Sequence, residues 1–342
     1  SCPSAQPELS FATMNESTIN SVPQQMVALV LEKHGTLEQV KTAVVTVPNI
    51  KSEEVLVQVE AAALNRLDLW VVEGWPGLNL EFPHILGSDG AGMVADVGSA
   101  VQRFAPGDRV AINPTLSCGH CSFCRDGRDN MCLSMALLGE HTHGVYAEYA
   151  AIPARNLLLL PDDVPYEEAA AAALVYVTAW HSLISRGGLK AGESVLIVGA
   201  GGGVNSAAIQ VAKLAGAGPI YVVGSTDEKL DLARELGADV VINHNQENWG
   251  RAIYKATNRL GVDVVVDNVG AATYAGSLRA LKRGGRLLTV GNSSGPQIAL
   301  DNRFLFGKHL SIIGSTMGAV TDFETVMKLI FEGRLKAVID TL

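Results

Sequence analysis

The pattern of apolar and polar residues divides the chain into two regions. From Met26 to about Pro153, short runs rich in β-branched residues are separated by glycine, proline and aspartate. Strands are predicted at Val27–Leu31, Glu54–Glu60, Gly90–Val97 and Arg109–Ile112. This texture predicts an irregular, mostly β domain.

After Gly187, apolar strands alternate with segments of helical spacing. Strands are predicted at Ser194–Gly199, Ile220–Val223, Val240–Ile242, Val262–Asp267 and Arg286–Val290. Helices are predicted at Asn205–Leu214, Asp227–Leu236 and Tyr274–Leu281. Such alternation predicts a doubly wound parallel sheet, so the expected fold class is α/β.

Two further segments lie outside this alternation. An alanine-rich helix is predicted over residues 163–187, with a cap from the preceding aspartates Asp162 and Asp163 and with Pro165 in its first turn. Near the end of the chain, a helix Asp322–Gly333 is followed by a short strand, Ala337–Ile339.

Composition and charge exclude several classes of protein. A chain of 342 residues exceeds one ordinary core, which predicts two domains. The net charge is −9 and lysine and arginine form no block, so neither nucleic acid nor a membrane surface is an expected partner. The longest apolar stretch, Ala169–Trp180, is too short to span a bilayer. Residues 1–25 lack the features of a secretory signal, and we expect a disordered extension on a cytoplasmic protein.

A glycine-rich turn marks the expected nucleotide site. An apolar strand runs into the turn and a helix follows, so backbone N–H groups at the helix N-terminus can bind a pyrophosphate. The predicted cofactor contacts in this region are Gly199, Gly201, Gly202, Gly203, Val204 and, after a later strand, Gly270. Asn205 stands where the third glycine of the usual spacing would fall, so we expect this helix to pack slightly differently.

The end of the second strand bears on the choice between NAD and NADP. An acidic residue there would hold the ribose 2′-hydroxyl of NAD, but this chain has Gly224, Ser225 and Thr226. The two hydroxyls and Lys229 suit a 2′-phosphate, which favours NADP. Asp227 leaves NAD open, because it can cap the next helix or meet a ribose.

Four cysteines within fifteen residues predict a metal site. Cys118, Cys121, Cys124 and Cys132 have the spacing C-x2-C-x2-C-x7-C, which suits a tetrahedral structural zinc with no open position. Disulfides are less expected in a reducing compartment, and iron–sulfur clusters usually show a shorter last gap.

Several motifs together resemble the medium-chain zinc alcohol dehydrogenase and quinone oxidoreductase family. They are the cysteine lobe, the glycine turn, Gly87–Gly98, Phe104–Ala111 and Gly144–Tyr149. The resemblance implies a GroES-like catalytic domain and a Rossmann domain with the active site between them. The corresponding boundaries are 26–157 with a zinc lobe at 116–133, 158–311, and a return to the catalytic domain at 312–342. Family members usually continue for some thirty residues past a segment like Gly333–Asp340, so we expect the returning helix and strand to be truncated.

The departures from the family pattern bear on the chemistry. The positions that match the ligands of the family's catalytic zinc are Asn65, Ser88, Asp89 and Leu174, and Leu67 matches its proton-relay hydroxyl. This set is a poor zinc site. The run from Asn65 to Asp68 resembles the quinone oxidoreductase branch, which implies hydride transfer from NADPH to a quinone or activated alkene without catalytic zinc.

Four residues are predicted to be catalytic. Asn65, Ser88 and Thr178 are candidate donors to a developing oxyanion, and the resemblance places Thr178 near the nicotinamide. Asp68 completes the set. The alternative is structural: Ser88 would satisfy local backbone, and Asp68 would hold Arg66 or a turn.

Two rival functions stay open. His141 and His143, at strand spacing, would with Asp89 or Asp68 rebuild a metal site for alcohol oxidation, although a surface role is favoured. The other rival is an NADPH-binding protein without turnover.

Partner and substrate are less defined by the sequence. By analogy with the family, the chain is expected to form a homodimer through an edge near Gln297–Leu300. The substrate is a small molecule, and Trp70, Trp75 and Tyr146 are candidate linings of an apolar pocket.

Overall fold

The computed structural model describes residues 22–339, so most of the predicted N-terminal extension lies outside the described residues. The first region is built from short strands, as expected. Its elements are β1 (Gln25–Leu31), β2 (Val40–Thr46), β3 (Glu54–Ala63), α1 (Arg66–Glu73), β4 (His84–Ile85), β5 (Asp89–Val97), β6 (Arg109–Ile112), β7 (Thr115–Leu116), α2 (Ser122–Arg125), β8 (Ala136–Leu137), β9 (Tyr149–Pro153) and β10 (Leu157–Leu159). They form a sheet of order β10-β6-β5-β3-β9, a sheet of order β2-β1-β4 and the ribbon β7-β8.

The second region is a parallel α/β sheet. Its elements are α3 (Tyr166–Ala173), α4 (Val175–Trp180), β11 (Val195–Val198), α5 (Gly203–Leu214), β12 (Ile220–Gly224), α6 (Asp227–Leu236), β13 (Val240–Asn243), α7 (Trp249–Ala256), β14 (Val262–Asp267), α8 (Tyr274–Ala280), β15 (Leu281–Thr289), α9 (Asn302–Lys308), β16 (Ser311–Gly314) and α10 (Val320–Phe331). The strand order β13-β12-β11-β14-β15-β16 is that of a dinucleotide-binding sheet. The predicted α/β fold is confirmed.

Some local predictions differ from the structure. The helix predicted over 163–187 begins at Tyr166 with Pro165 as its N-cap, so neither Asp162 nor Asp163 caps it. It breaks at Leu174, and its last turn, His181–Arg186, is π-helical. Three elements, α7, α9 and β16, were not predicted from the sequence. Because β16 ends at Gly314, the parallel sheet extends beyond the predicted boundary at residue 311.

The strand predicted at Ala337–Ile339 does not form. The side chain of Gln210 binds both backbone groups of Lys336, accepting from its N–H at 3.0 Å and donating to its carbonyl at 2.9 Å. The Tyr176 hydroxyl donates to the same carbonyl. Side chains of α4 and α5 therefore bind the backbone groups of this segment, which a neighbouring strand would otherwise have to bind.

The two regions pack through α3, which lies against β3 and β5 of the first region and against α4 and α10 of the second. A single buried cluster extends from Ala91 and Ala111 through the alanines of α3 to Val195 and Ile197 of the parallel sheet. Strand β16 forms one edge of that sheet. Residues 297–300, which were predicted to form the dimer edge, lie outside any strand. Among residues 22–339, no helix has the length and apolar character needed to cross a membrane.

Candidate active site

The glycine turn after β11 has the geometry of a phosphate site. Gly199 and Gly201 have φ of 103° and 87°, which L side chains rarely adopt, and the space beside Gly202 is open. Helix α5 begins at Gly203, so the first N–H groups of the helix, including that of Val204, have no partner within the helix. The turn can therefore bind an anionic pyrophosphate.

Asn205 explains the departure from the usual glycine spacing. Its amide donates to the carbonyls of Val198 and Gly199 at 3.1 and 2.6 Å, and its carbonyl accepts from Asn268 at 3.1 Å. The Asn268 carbonyl oxygen in turn accepts from the N–H of Val290 at 2.9 Å. Asn205 thus connects the ends of three strands by hydrogen bonds, where a glycine would allow only close packing.

The end of β12 offers a cation and hydroxyls. Thr226 caps α6 by accepting from the N–H of Lys229 at 3.4 Å, and the aliphatic stem of Lys229 packs against Gly201. Gly224 ends the strand with no room for a side chain, since a Cβ would meet Leu230 at 2.7 Å. The Asp227 carboxylate accepts from the amide of Asn243 at 2.9 Å.

Gly270 lies at the end of β14, beside the same crevice. Its φ is 94°, and its N–H and that of Val269 donate to the Asp267 carboxylate at 3.2 and 3.0 Å. The buried Asp267 also accepts from Ser277 at 2.6 Å. These bonds hold the turn next to the nucleotide crevice.

The four cysteines of the lobe converge on one point. Their sulfurs all lie within 4.8 Å of one another, with three pairs at 3.5 to 3.9 Å. Four thiolates around zinc, each at about 2.3 Å, would lie roughly 3.8 Å apart. Backbone N–H groups of Cys118, Cys121 and Ser134 donate to these sulfurs at 3.3 Å, as they do to thiolates. The arrangement fits a closed tetrahedral zinc, and within residues 22–339 it is the only such ligand group.

A cleft of about 1190 Å³ separates the two regions. One wall comes from α1 and the cysteine lobe, and the other from the carboxyl ends of β15 and β16. Its apolar lining comes from Leu67, Trp70, Trp75, Met131, Met135, Val290, Pro296 and Ile298, and its ionisable lining from Glu73, Cys132, Glu140, His181, Arg186 and Tyr274. Because ligands of such sheets bind beyond the carboxyl ends of the strands, this cleft is the candidate active site.

The positions that match the family's metal ligands come together behind this cleft. The Asn65 amide donates to Asp89 at 2.8 Å. Burial, with a smaller contribution from the nearby Asp68, raises the pKa of Asp89 to about 8 against the hydrogen bond from Asn65. Oδ1 of Asp89 is buried and has no partner among the described residues. The donors are therefore an amide, a hydroxyl, one protonated carboxyl and an aliphatic chain, which do not fit zinc.

An apolar plug covers this cluster. Leu137, Leu174 and Met317 form a buried group against which Leu67 packs. Thr178 lies in the same place, and its hydroxyl faces the sulfur of Met317 at 3.9 Å. The plug therefore surrounds one of the matched ligand positions, Leu174, with apolar side chains from both sides of the cleft.

None of the four predicted catalytic residues lines the cleft. Ser88 is fully buried and donates to the Leu138 carbonyl at 2.7 Å, so its proton has an internal acceptor. Asp68 accepts from the N–H of Asn65, the N-cap of α1, at 2.7 Å and from the Tyr146 hydroxyl at 2.7 Å. These contacts correspond to the structural alternative, in which such residues satisfy local groups.

The histidine pair also differs from expectation. The segment around Gly139 is a turn with φ of 76°, not a strand, so residues two apart do not share a face. His141 accepts from the N–H of Leu137 and His143 from that of Ile85, both at 3.2 Å. Among the described residues, the pair forms no three-ligand group with Asp68 or Asp89. Of the predicted apolar linings, Trp70 and Trp75 reach the cleft and Tyr146 does not.

Sequence reasoning missed His181, which lines the cleft. Its Nδ1 lies 2.6 Å from Asp322, and its Nε2 lies 3.0 Å from the amide nitrogen of Asn130. That nitrogen also donates to the Thr316 carbonyl at 3.1 Å, which fixes the amide orientation. Nε2 therefore accepts and Nδ1 carries the proton. No sequence motif indicates this series of hydrogen bonds, because the residues that form it lie far apart in the sequence.

The comparisons with known proteins place these features in one family. Residues 51–162 match the model of the alcohol dehydrogenase GroES-like domain, and residues 203–332 match that of zinc-binding dehydrogenase. Sorbitol dehydrogenase of Bacillus subtilis (strain 168) is 35% identical, over 86% of this chain and 83% of that protein. Acryloyl-coenzyme A reductase of Sulfurisphaera tokodaii is 32% identical, over 85% of each chain.

Among solved structures, one described as an NAD-dependent alcohol dehydrogenase is 42% identical with a TM-score of 0.88. The match covers 92% of this chain and 91% of that one.

Proposed function

The chain belongs to the zinc-type medium-chain alcohol dehydrogenase family and is an NAD(P)-dependent oxidoreductase. We propose that it reduces activated alkenes or quinones without a catalytic zinc. The proposal rests on the residues at the family's metal positions. Asn65, Ser88 and Leu174 supply no thiolate or imidazole. Leu174 is instead packed among Leu67, Leu137 and Met317. A Lewis acid for alcohol oxidation has no ligands here.

Acceptors of this class do not need a metal. NADPH supplies the hydride, and conjugation within the quinone or alkene spreads the negative charge that forms. The residues of the chain hold the acceptor and exclude water. The apolar wall of Leu67, Trp70 and Trp75 favours an uncharged, hydrophobic acceptor. The similarity to acryloyl-coenzyme A reductase supports conjugated thioesters among the alkenes.

We propose NADPH as the preferred cofactor. The aliphatic stem of Lys229 packs against Gly201 of the glycine turn, and Thr226, just after β12, caps the helix that carries Lys229. Gly224 supplies no carboxylate for a ribose 2′-hydroxyl, and Asp227 is bound to Asn243. NAD remains the alternative, since the 42% identical structure is described as NAD-dependent.

The zinc of the cysteine lobe has a structural role in this proposal. Four thiolate ligands close its coordination, so no position is left for substrate. Such a site stays intact in a reducing compartment, and this supports the expected cytoplasmic location of the protein. The unpaired outer edge of β16 supports the expected homodimer.

Alcohol oxidation is the second candidate, since relatives described as sorbitol and alcohol dehydrogenases share about a third of their residues with this chain. Zinc per chain, measured by elemental analysis of protein purified without added metal, separates the two. One zinc, with NADPH oxidation by crotonyl-CoA, 2-cyclohexenone or benzoquinone, supports the proposal. Two zincs, with ethanol or sorbitol oxidised and no acceptor reduced, would overturn it.

A further inference from the structure

Reduction of an alkene requires a proton as well as a hydride. The hydride from NADPH adds to the β-carbon, the π-electron pair moves to the α-carbon and its carbonyl, and the resulting enolate takes a proton at the α-carbon. The three donors predicted from the sequence are engaged elsewhere: Asn65 with Asp89, Ser88 with Leu138, and Thr178 with Met317. A different group must deliver this proton.

Few of the ionisable groups lining the cleft are suitable. The Nδ1–H of His181 donates a hydrogen bond to Asp322, and its Nε2 accepts one from Asn130. Arg186 donates to the Gly314 carbonyl and keeps its charge at all ordinary pH values. Cys132 belongs to the zinc lobe, and Glu73 is exposed. Burial raises the pKa of the Tyr274 phenol above its ordinary value, which makes it a poor acid. Glu140 remains, with a carboxyl group that is nearly buried in the cleft wall.

The main chain holds Glu140 in a fixed position. Ser88 and His84 bind the carbonyls of Leu138 and Gly139 at 2.7 and 3.1 Å. Gly139 has a positive φ, and a Cβ there would meet the backbone of Gly87 at 2.5 Å. The chain therefore turns sharply before Glu140, and the predicted catalytic residue Ser88 helps to position it.

The surroundings of Glu140 favour the protonated acid. Burial raises the pKa of its carboxyl group, and His141 opposes this only in part. Nδ1 of His141 lies 3.5 Å from Oε1 of Glu140 but accepts from the N–H of Leu137, so it does not return a proton to the acid. The Glu140 side chain keeps 12% of its surface exposed, and solvent can reprotonate it there after each turnover.

We propose that Glu140 is the general acid that protonates the α-carbon of the reduced alkene. This assignment rests on the proposed alkene reduction. The carboxyl O–H bond breaks, a C–H bond forms at the α-carbon, and the carboxylate then recovers a proton from solvent. The sum is alkene, NADPH and one proton to alkane and NADP⁺.

The test is Glu140→Gln in the full-length, zinc-loaded enzyme, with crotonyl-CoA and 2-cyclohexenone as probes in D2O. Wild-type enzyme should place deuterium on one face of the α-carbon. The variant should lose roughly 10²-fold or more in kcat and deuterate both faces, because solvent replaces the positioned acid. Glu140→Asp should recover part of the rate and the facial selectivity. Zinc content, unfolding temperature and NADPH affinity should stay at the wild-type level.

Glu60→Gln is the matched control, since Glu60 is an exposed carboxylate of β3 outside the cleft. If the Glu140→Gln enzyme keeps the wild-type rate and deuterates a single face, the assignment of Glu140 is wrong while alkene reduction stands. If wild-type enzyme reduces neither alkene, the proposed alkene reduction fails and the assignment fails with it.

Discussion

Asp129 of the cysteine lobe binds Val320, the first residue of α10: both carboxylate oxygens lie 3.1 Å from its N–H. The carboxylate caps the helix at its positive end. The neighbouring Asn130 binds His181 and the Thr316 carbonyl. The lobe is therefore attached to the far wall of the cleft, so its folding bears on the active site as well as on local stability.

Removing a zinc ligand should consequently affect the cleft. We expect Cys124→Ser to lose the zinc, to lower the unfolding temperature by roughly 5–10 °C, and to raise KM for NADPH. Elemental analysis, calorimetry and steady-state kinetics measure the three effects. Cys2→Ser, far from the lobe in sequence, should retain one zinc and wild-type kinetics. Unchanged unfolding of a zinc-free Cys124→Ser protein would contradict the proposed structural role.

Asp322→Asn should destabilise the protein in a pH-dependent way. Burial opposes ionisation of Asp322, but hydrogen bonds from His181 and Ser185 outweigh it and hold the carboxyl pKa below its ordinary value of 3.8. The ionised form therefore stabilises the fold above pH 3.8, and this contribution is lost as pH falls through the lower folded-state pKa. We expect the variant to lose about 1–3 kcal/mol at pH 7 and progressively less below pH 4.

Urea unfolding of both proteins at pH 7, 5 and 3.5 measures this difference. Asp231→Asn is a suitable control, because Asp231 forms an exposed ion pair with Arg234 that should contribute little. A stability difference that does not change with pH would show that ionisation of Asp322 does not stabilise the fold.

Lys229→Ala should discriminate between cofactors. Loss of a phosphate-binding ammonium should raise KM for NADPH by about tenfold, with little change for NADH. Lys213→Ala, an exposed lysine in the last turn of α5, is the control and should leave both values unchanged. Equal losses for NADPH and NADH would show that Lys229 serves the pyrophosphate turn and not the 2′-phosphate.

Asp89→Asn should change how stability depends on pH. The pKa of Asp89 is raised to about 8, so the stability associated with its proton is complete below pH 3.8 and is lost as pH rises through 8. The variant lacks this titration. Between pH 5 and 7.5 it should gain on wild type by up to about 1.4 kcal/mol per pH unit, as followed by urea unfolding. Asp96→Asn, exposed on the same strand, should show no such slope.

Local signals explain which parts of the fold were predictable. Strand β14 and helix α6 have the predicted bounds, because an apolar run marks the strand and the caps Thr226 and Gly237 flank the helix. The cysteine spacing defines the zinc site in the same way. Short elements such as β16, whose residues are mostly exposed, carry too little periodicity to be recognised.

The roles of polar residues around the cleft were less predictable, because they depend on long-range contacts. A hydroxyl at position 88 suggests a donor, but its acceptor is a carbonyl fifty residues away, and only packing brings the two within 2.7 Å. His181 gains its orientation from Asp322, 141 residues further along the chain. Glu140 had no motif, since burial in the cleft wall is what distinguishes it from other glutamates.

Residue types at short spacing in the sequence are enough to identify the family, the α/β architecture, the glycine turn and the thiolate cluster. The partners and the burial of individual polar groups depend on tertiary packing. Ser88, Asp89, Glu140 and His181 take their hydrogen-bond partners or their burial from segments distant in the sequence, because the packing of the two domains brings those segments together.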